Sequence, residues 1–358
     1  MKGRLKRILS MLFAILIIAS STNIVGAVGF TSATYSKIKD SIRAAEGIKN
    51  ELGLSSVNFE DFTVGDPIYV YNYENEALVK SREFYPLFID NALTAFAIES
   101  TLDNNTQYQF STTYVEEINS LGIEDDTPFA IIYDCSSTYL YYNGIATIIG
   151  TAGDIIPERG NLTQCNPSVF SDIHLQNMQK KNALGYVYSS LNSRARISCD
   201  VDYISQGSYN ICWAACIASI VNYLSGTDLD AVDVAVMYYG SNWNQGLSPY
   251  TEDDILRQAY GLSYYCVNVP STQSAAFNLF KYNIQRNRPI YANFLYLSSG
   301  HASVIYGVED AAGYVYIMEP NTGFWTLQYS SSLGYYFILP SNNRTYSLDY
   351  LTCTYTSS

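Results

Sequence analysis

Gln206-Gly207-Ser208-Tyr209-Asn210-Ile211-Cys212-Trp213-Ala214-Ala215-Cys216 sets a glutamine six residues ahead of a cysteine, across a loop that holds glycine and asparagine. The cysteine opens an apolar run, Trp213 to Leu224. That run reads as a buried helix, capped from Ser208 or Asn210 and closed by Gly226. Further on, Gly300-His301-Ala302-Ser303-Val304-Ile305 carries one of the two histidines in the chain, at the start of a strand pattern. A cysteine at a helix start and a histidine at a strand start are the parts of a thiol nucleophile and its base.

The thiolate is the reactive form of cysteine. A helix N-terminus stabilises it through the dipole and the unpaired N–H groups. A neighbouring imidazole stabilises it further as an ion pair and then gives a proton to the leaving group. His301 is the only histidine of the C-terminal half. Acyl transfer also needs donors aimed at the developing oxyanion. The backbone N–H of Cys212 is one, and the side-chain amide of Gln206 is the second. The base needs an orienting acceptor. The strand after His301 runs into Met318-Glu319-Pro320-Asn321-Thr322-Gly323, where Glu319 and Asn321 both stand within reach of the imidazole.

These segments resemble the active-site segments of papain-like cysteine peptidases. The Gln206-to-Cys212 spacing and Trp213 after the nucleophile match that family. Gly300-His301-Ala302 and the strand into Glu319-Pro320 look like its histidine strand and its following Asn or Asp strand. The bacterial secreted branch is the most similar: staphopain-like and streptopain-like enzymes, and peptidases that trim bacteriocin leaders. The resemblance covers roughly residues 200 to 335. It implies a two-lobed α+β fold, a helical lobe and an antiparallel β lobe with a cleft between them. It also implies peptide-bond cleavage through a thioester acyl-enzyme. Carried over by position, Cys212 is the nucleophile, His301 the base and acid, and Gln206 the oxyanion donor. Glu319 takes the place of the family's Asn or Asp, one methylene longer. Asn321, the right residue type but two places late, is the alternative. Transglutaminases and cell-wall amidases use a related Cys–His arrangement, and a catalytically degenerate binding protein is a further alternative.

The rest of the 358-residue chain supports secretion. Residues 1–27 read as a signal peptide: a basic start at Lys2, Arg4, Lys6 and Arg7, an apolar run from Met11 to Ile18, and small residues at Val25-Gly26-Ala27. No later stretch is long and apolar enough to span a bilayer, so no stable membrane association is expected once the signal is cleaved. Residues 28–198 read as an α+β propeptide domain, helix first over 31 to 54 and then an antiparallel sheet. Its end, residues 175 to 200, reads as a polar and basic linker, the kind of exposed segment where proteases cut. His174, just ahead of that linker, is isolated in a polar stretch. Residues 199–358 read as the peptidase domain, helices first and an antiparallel sheet after.

Composition narrows the partners. Net charge is −13 with only 15% charged residues, so a phosphate-binding surface is not expected and nucleic acid is excluded as a partner. The 34 tyrosines fit β-rich surfaces that keep a polar tip. The seven cysteines are odd in number and form no C-x-x-C pair. With two histidines so far apart, neither a metal nor another cofactor is expected. Cys216 reads as core or half of a disulfide, Cys266 and Cys353 as structural, and Cys135 with Cys165 as a possible pair. The expected partners are a protein or peptide substrate and the chain's own propeptide.

Overall fold

The computed structural model describes residues 32–74, 77–90, 92–102, 105–123, 127–134, 137–151, 173, 175, 180–183, 196–310, 313–339 and 343–354. The expected signal peptide, His174, Cys135, Cys165 and most of the expected linker lie outside the described residues. The chain divides into a short unit, Met1–Lys37, and a large one, Ile38–Ser358. The large unit holds both expected α+β regions. No described helix is long and apolar enough to cross a membrane.

Helix α1 covers Ser32–Glu46, shorter than the expected span because the chain turns at Gly47. Its Ile38, Ile42 and Ala45 are buried on one face. Then come β1 (Thr63–Gly65), β2 (Ile68–Glu74), β3 (Ala77–Ile89), β4 (Ala92–Leu102) and β5 (Asn105–Ser111). A short helix, α2 (Val115–Ser120), leads to β6 (Phe129–Tyr133), β7 (Ser137–Tyr142) and β8 (Ile145–Thr151). The strand order is β5-β4-β3-β2-β6-β7-β8. This sheet is mixed rather than purely antiparallel, because β2 and β6 run parallel. Helix α2 closes the crossover that a parallel pair requires, and its Val115 and Ile118 pack on Phe84, Phe88 and Phe96.

The expected linker is partly structured. Strand β9 (Lys180–Ala183) pairs with β1. Strand β10 (Ile197–Ser198) pairs instead with the strand that carries His301.

The second region opens with α3 (Cys212–Ser225) and α4 (Ala231–Tyr239). Asp230 caps α4 in a reciprocal capping box with Asp233. A single α turn at Glu252–Asp254 continues as a π-helical turn, Ile255–Ala259. Strand β11 (Tyr265–Asn268) and helix α5 (Gln273–Ile284, capped by Thr272) precede β12 (Ile290–Tyr296), β13 (Ser299–Glu309), β14 (Tyr314–Glu319), β15 (Gly323–Ser330), β16 (Gly334–Leu339) and β17 (Arg344–Cys353). Each of β12 to β17 pairs antiparallel with two neighbours, and β13 with β14 completes a closed ring of six strands. Closure leaves no free edge among those six.

Alternation along the strands divides the core. Ile290, Ala292, Phe294, Val315, Ile317, Phe337 and Tyr346 fill the ring, joined by Leu279 and Phe280 of α5. Tyr291, Ala302, Val304, Tyr306, Tyr316 and Met318 face the other way and pack with Trp213, Ile217 and Ile220 of α3. Among the described residues Ile48, buried to 2% exposure, enters that outer core from the N-terminal region, and Leu52 packs against it. Gly47 beside Ile48 sits so close to Tyr316 that a Cβ would lie 2.4 Å from the phenol oxygen. Arg196 donates to the Gly47 carbonyl and pairs with Glu51.

The two sheets also meet at the far side. The Gln109 amide accepts from the Ile338 N–H at 3.2 Å and donates to the Ile338 carbonyl at 3.4 Å. Asn343 donates to Asn72 and Ser81, both at 2.8 Å.

Ile48→Ala should therefore destabilise the whole unit by about 2–5 kcal/mol, the usual cost of truncating a buried isoleucine. The midpoint and slope of urea denaturation check this. A change within ±0.5 kcal/mol would show that Ile48 does not belong to the outer core.

Candidate active site

Cys212 is the first residue of α3. The N-cap is Ile211, and no side chain caps the helix, so neither Ser208 nor Asn210 plays the expected role. The Asn210 backbone N–H donates to the Asn244 side chain at 2.9 Å. The first N–H groups of α3 thus keep no side-chain acceptor, which is the arrangement that holds an anion. The other end matches the expectation: Gly226 is left-handed (φ 65°) and its N–H bonds the Asn222 carbonyl at 2.8 Å.

Trp213 is buried, with its indole N–H donating to the Gln245 carbonyl at 2.9 Å. It anchors the head of α3 rather than lining an open face. Cys216, one turn on, is fully buried, and burial pushes its thiol well up. Burial pushes Cys199 to about 11 and Cys266 to about 12. Cys199, Cys212, Cys216 and Cys266 are all free thiols, so Cys216 is core and not half of a disulfide. Cys212 is half-buried and faces the imidazole of His301.

His301 lies on β13, paired with Phe294 of β12. It is 1% exposed. Its Nε2 meets Glu319 Oε1 at 2.6 Å. Its Nδ1 is buried and makes no hydrogen bond of ordinary geometry, which leaves that nitrogen to the thiol. Burial disfavours the charged ring. Hydrogen bonding and charge from Cys212 and Glu319 outweigh it, so the imidazole's pKa stands well above the usual histidine value.

Glu319 ends β14 and is fully buried. Of the two acids and amides weighed from sequence, its carboxylate is the group on the imidazole. Asn321 gives its backbone N–H to the same Oε1 at 2.9 Å. The Thr322 hydroxyl donates to Oε2. The longer glutamate fits because it stands at the strand end, where the turn to β15 folds two donors back onto it. That turn needs Gly323, whose φ is +104°.

Gln206 is buried at 2% exposure. Its backbone N–H donates to the Pro320 carbonyl at 2.9 Å. Its Nε2 donates to the Tyr209 carbonyl at 2.9 Å, which fixes the amide plane and uses one of two N–H groups. The structure thus brings Gln206, Cys212, His301 and Glu319 into one neighbourhood through a single turn, Glu319 to Gly323. Thr322 and the carbonyls of Tyr209 and Pro320 were not singled out from sequence. Thr322 stood inside the quoted stretch, and its place three residues after Glu319 was the available signal. Among the described residues no cluster of side chains suits a metal ion.

Residues 195–334 match the family model described as Papain-like cysteine protease AvrRpt2. No curated protein matches the chain. The matched segment contains Gln206, Cys212, His301, Glu319 and Asn321.

The raised imidazole pKa has a defined sign. A base held protonated by its fold adds stability that is full below the unfolded value of about 6.5 and is lost as pH rises through the folded value. Glu319→Gln removes the anion and should lower the imidazole's pKa. The loss of stability on raising pH, which begins near the unfolded value in both proteins, is then smaller and is complete at a lower pH, read as denaturation midpoint against pH. Superimposable curves for the two proteins would show that Glu319 exerts no charge on the ring.

Proposed function

We propose, for a chain whose residues 195–334 match a papain-like cysteine protease family model, that it is a hydrolase of that kind, a secreted bacterial endopeptidase made as a proenzyme. The observation that carries the reading is the buried contact of His301 with Glu319 on one side and Cys212 on the other. The Cys212 thiolate attacks the substrate carbonyl carbon. The oxyanion takes the Cys212 N–H and the second N–H of the Gln206 amide. The His301 imidazolium gives its proton to the leaving amine, which departs and leaves a thioester. Neutral His301 then takes a proton from water, whose oxygen attacks the thioester. The acid product leaves, and the thiolate–imidazolium pair returns.

Glu319 holds the ring in place through Nε2, so that Nδ1 serves the sulfur. A peptidase fold retained only for binding has no need of this buried charge, so the contact counts against the degenerate reading. Transglutaminase and amidase chemistry would use the same thioester, and the acceptor decides between them.

The proenzyme part of the reading draws on the first sheet. A cavity of about 570 Å³ separates Leu52–Leu54 and Thr112–Glu117 from Asn321 and Thr322, so the N-terminal region forms a wall beside the turn that holds Glu319. Cleavage of the 181–203 stretch would free it. A cut ahead of Arg196 keeps β10 paired to β13, and a cut behind Ser198 removes that strand.

Cys212→Ala should abolish labelling by an epoxide thiol probe and reduce casein cleavage by roughly 10⁴-fold or more. Cleavage at the parental rate would sink the assignment. Amine incorporation into protein without peptide-bond cleavage would favour a transglutaminase. Gln206→Ala should cost roughly 10²–10³-fold in kcat with little change in KM, as for loss of one oxyanion donor. Mass spectrometry of the secreted protein should give a mature N-terminus between residues 181 and 203. A start well outside that window removes the propeptide reading.

A further inference from the structure

The turn Glu319 to Gly323 contains a relay that the peptidase reading does not by itself require. Trp325, 2% exposed, donates its indole N–H to Thr322 Oγ1 at 2.8 Å. The Thr322 hydroxyl donates to Glu319 Oε2. Direction is fixed by chemistry, because an indole N–H can only donate. The hydroxyl oxygen accepts it and has one hydrogen to give, and that hydrogen goes to the carboxylate. The Asn321 N–H and His301 Nε2 both meet the other oxygen, Oε1.

A carboxylate and an imidazole 2.6 Å apart in a buried site share one proton. The proton rests on the ring, as imidazolium beside carboxylate, or on the oxygen, as two neutral groups. Burial favours the neutral pair. Donors on the carboxylate favour the charged pair, because they bind the anion better than the acid. Among the described residues, the charged and titratable groups that face Glu319 are His301, Cys216 on α3, Cys212 through the ring, and Tyr203 ahead of α3. None of these is a fixed cation, so the neutral donors carry that work.

We infer that Thr322, aimed by the Trp325 indole, is a positioning residue that holds Glu319 as the anion turned towards His301 and so keeps the shared proton on the imidazole. This rests on the reading of His301 as the acid and base of the peptidase. The residue touches neither substrate nor sulfur. It acts through Glu319, and one hydroxyl hydrogen does the work.

The test uses the full chain labelled with ¹⁵N-histidine. The chain has two histidines, so His174→Gln assigns the resonances of His301. In the parent, His301 shows imidazolium shifts at pH 7 to 8. Thr322→Val, nearly the same shape without the hydroxyl, should convert it to neutral imidazole over that range. It should also lower kcat roughly 10-fold or more at constant KM and move the alkaline limb of kcat/KM to lower pH. Thr322→Ser restores the hydroxyl and should restore all three. Trp325→Phe keeps an aromatic ring but loses the pyrrole half with its N–H, and should give an intermediate shift. If Thr322→Val folds poorly, the Trp325→Phe spectrum carries the test. Imidazolium shifts unchanged in Thr322→Val and Trp325→Phe overturn the inference, even where activity falls. Failure of the peptidase reading looks different: no variant or parent cleaves peptides, while the histidine spectra still report where the proton sits.

Discussion

The structure turns on one buried contact, His301 Nε2 to Glu319 Oε1 at 2.6 Å. Both side chains are at most 1% exposed, and taking each charge out of water costs several kcal/mol. One charged hydrogen bond contributes about 1.5–3 kcal/mol, too little to hold the charged state alone. Glu319 accepts three: from the imidazole, the Asn321 N–H and the Thr322 hydroxyl. Together these are of the same order as the desolvation they offset. The carboxylate's surroundings, and not its residue type alone, are what make an imidazolium tenable in a closed core.

Supplying those donors constrains everything nearby. Glu319 must end a strand, so that the chain can fold back within three residues. Gly323 takes the conformation that lets it do so, and Glu319 and Gly323 then pair across the hairpin. The Pro320 carbonyl in the same turn accepts from the Gln206 N–H and the Tyr203 hydroxyl. The loop that carries the oxyanion donor is therefore tied to the turn that steers the base. Closure of the six-stranded ring supplies the rigidity. His301 and Glu319 share the inward parity of their strands, with the His301 ring against Phe337 and Tyr346 at centroid distances of 6.1 and 5.4 Å. The sulfur arrives from the opposite side, on a helix packed against the outer face.

Much of this was legible in the sequence where the signal is local. The Gln206-to-Cys212 spacing, Gly226 as a helix stop and the strands carrying His301 and Glu319 all depend on a few adjacent residues, and the structure has them. Features that depend on distant partners were not legible. The head of α3 looked capped by Ser208 or Asn210, because both are good capping residues. Ile211 is the N-cap instead, and its carbonyl takes the Ala214 and Ala215 N–H groups, with no side chain capping the helix head at Cys212. The parallel pairing of β2 and β6 is invisible to alternation, which reports faces and not direction. Strands β16 and β17 close the ring and were not singled out: β17 is partly polar, whereas β16 (Gly334–Leu339) is an apolar, aromatic run whose signal was available.

The choice between Glu319 and Asn321 shows why residue type is a weaker guide than geometry. Asparagine matches the usual identity at this position, and glutamate is one methylene too long for it. The extra length is absorbed by the hairpin turn, and Asn321 contributes through its backbone instead of its side chain. The substitution also changes the chemistry. An amide can only orient the ring, whereas a carboxylate both orients it and competes for its proton. A glutamate here is useful only if other groups keep it ionised, and the donors of the Asn321–Thr322 turn, backed by Trp325, are the groups in place to do so. The steering residue and the turn that follows it therefore have to change together: a glutamate without the hydroxyl would take the proton that the leaving amine needs.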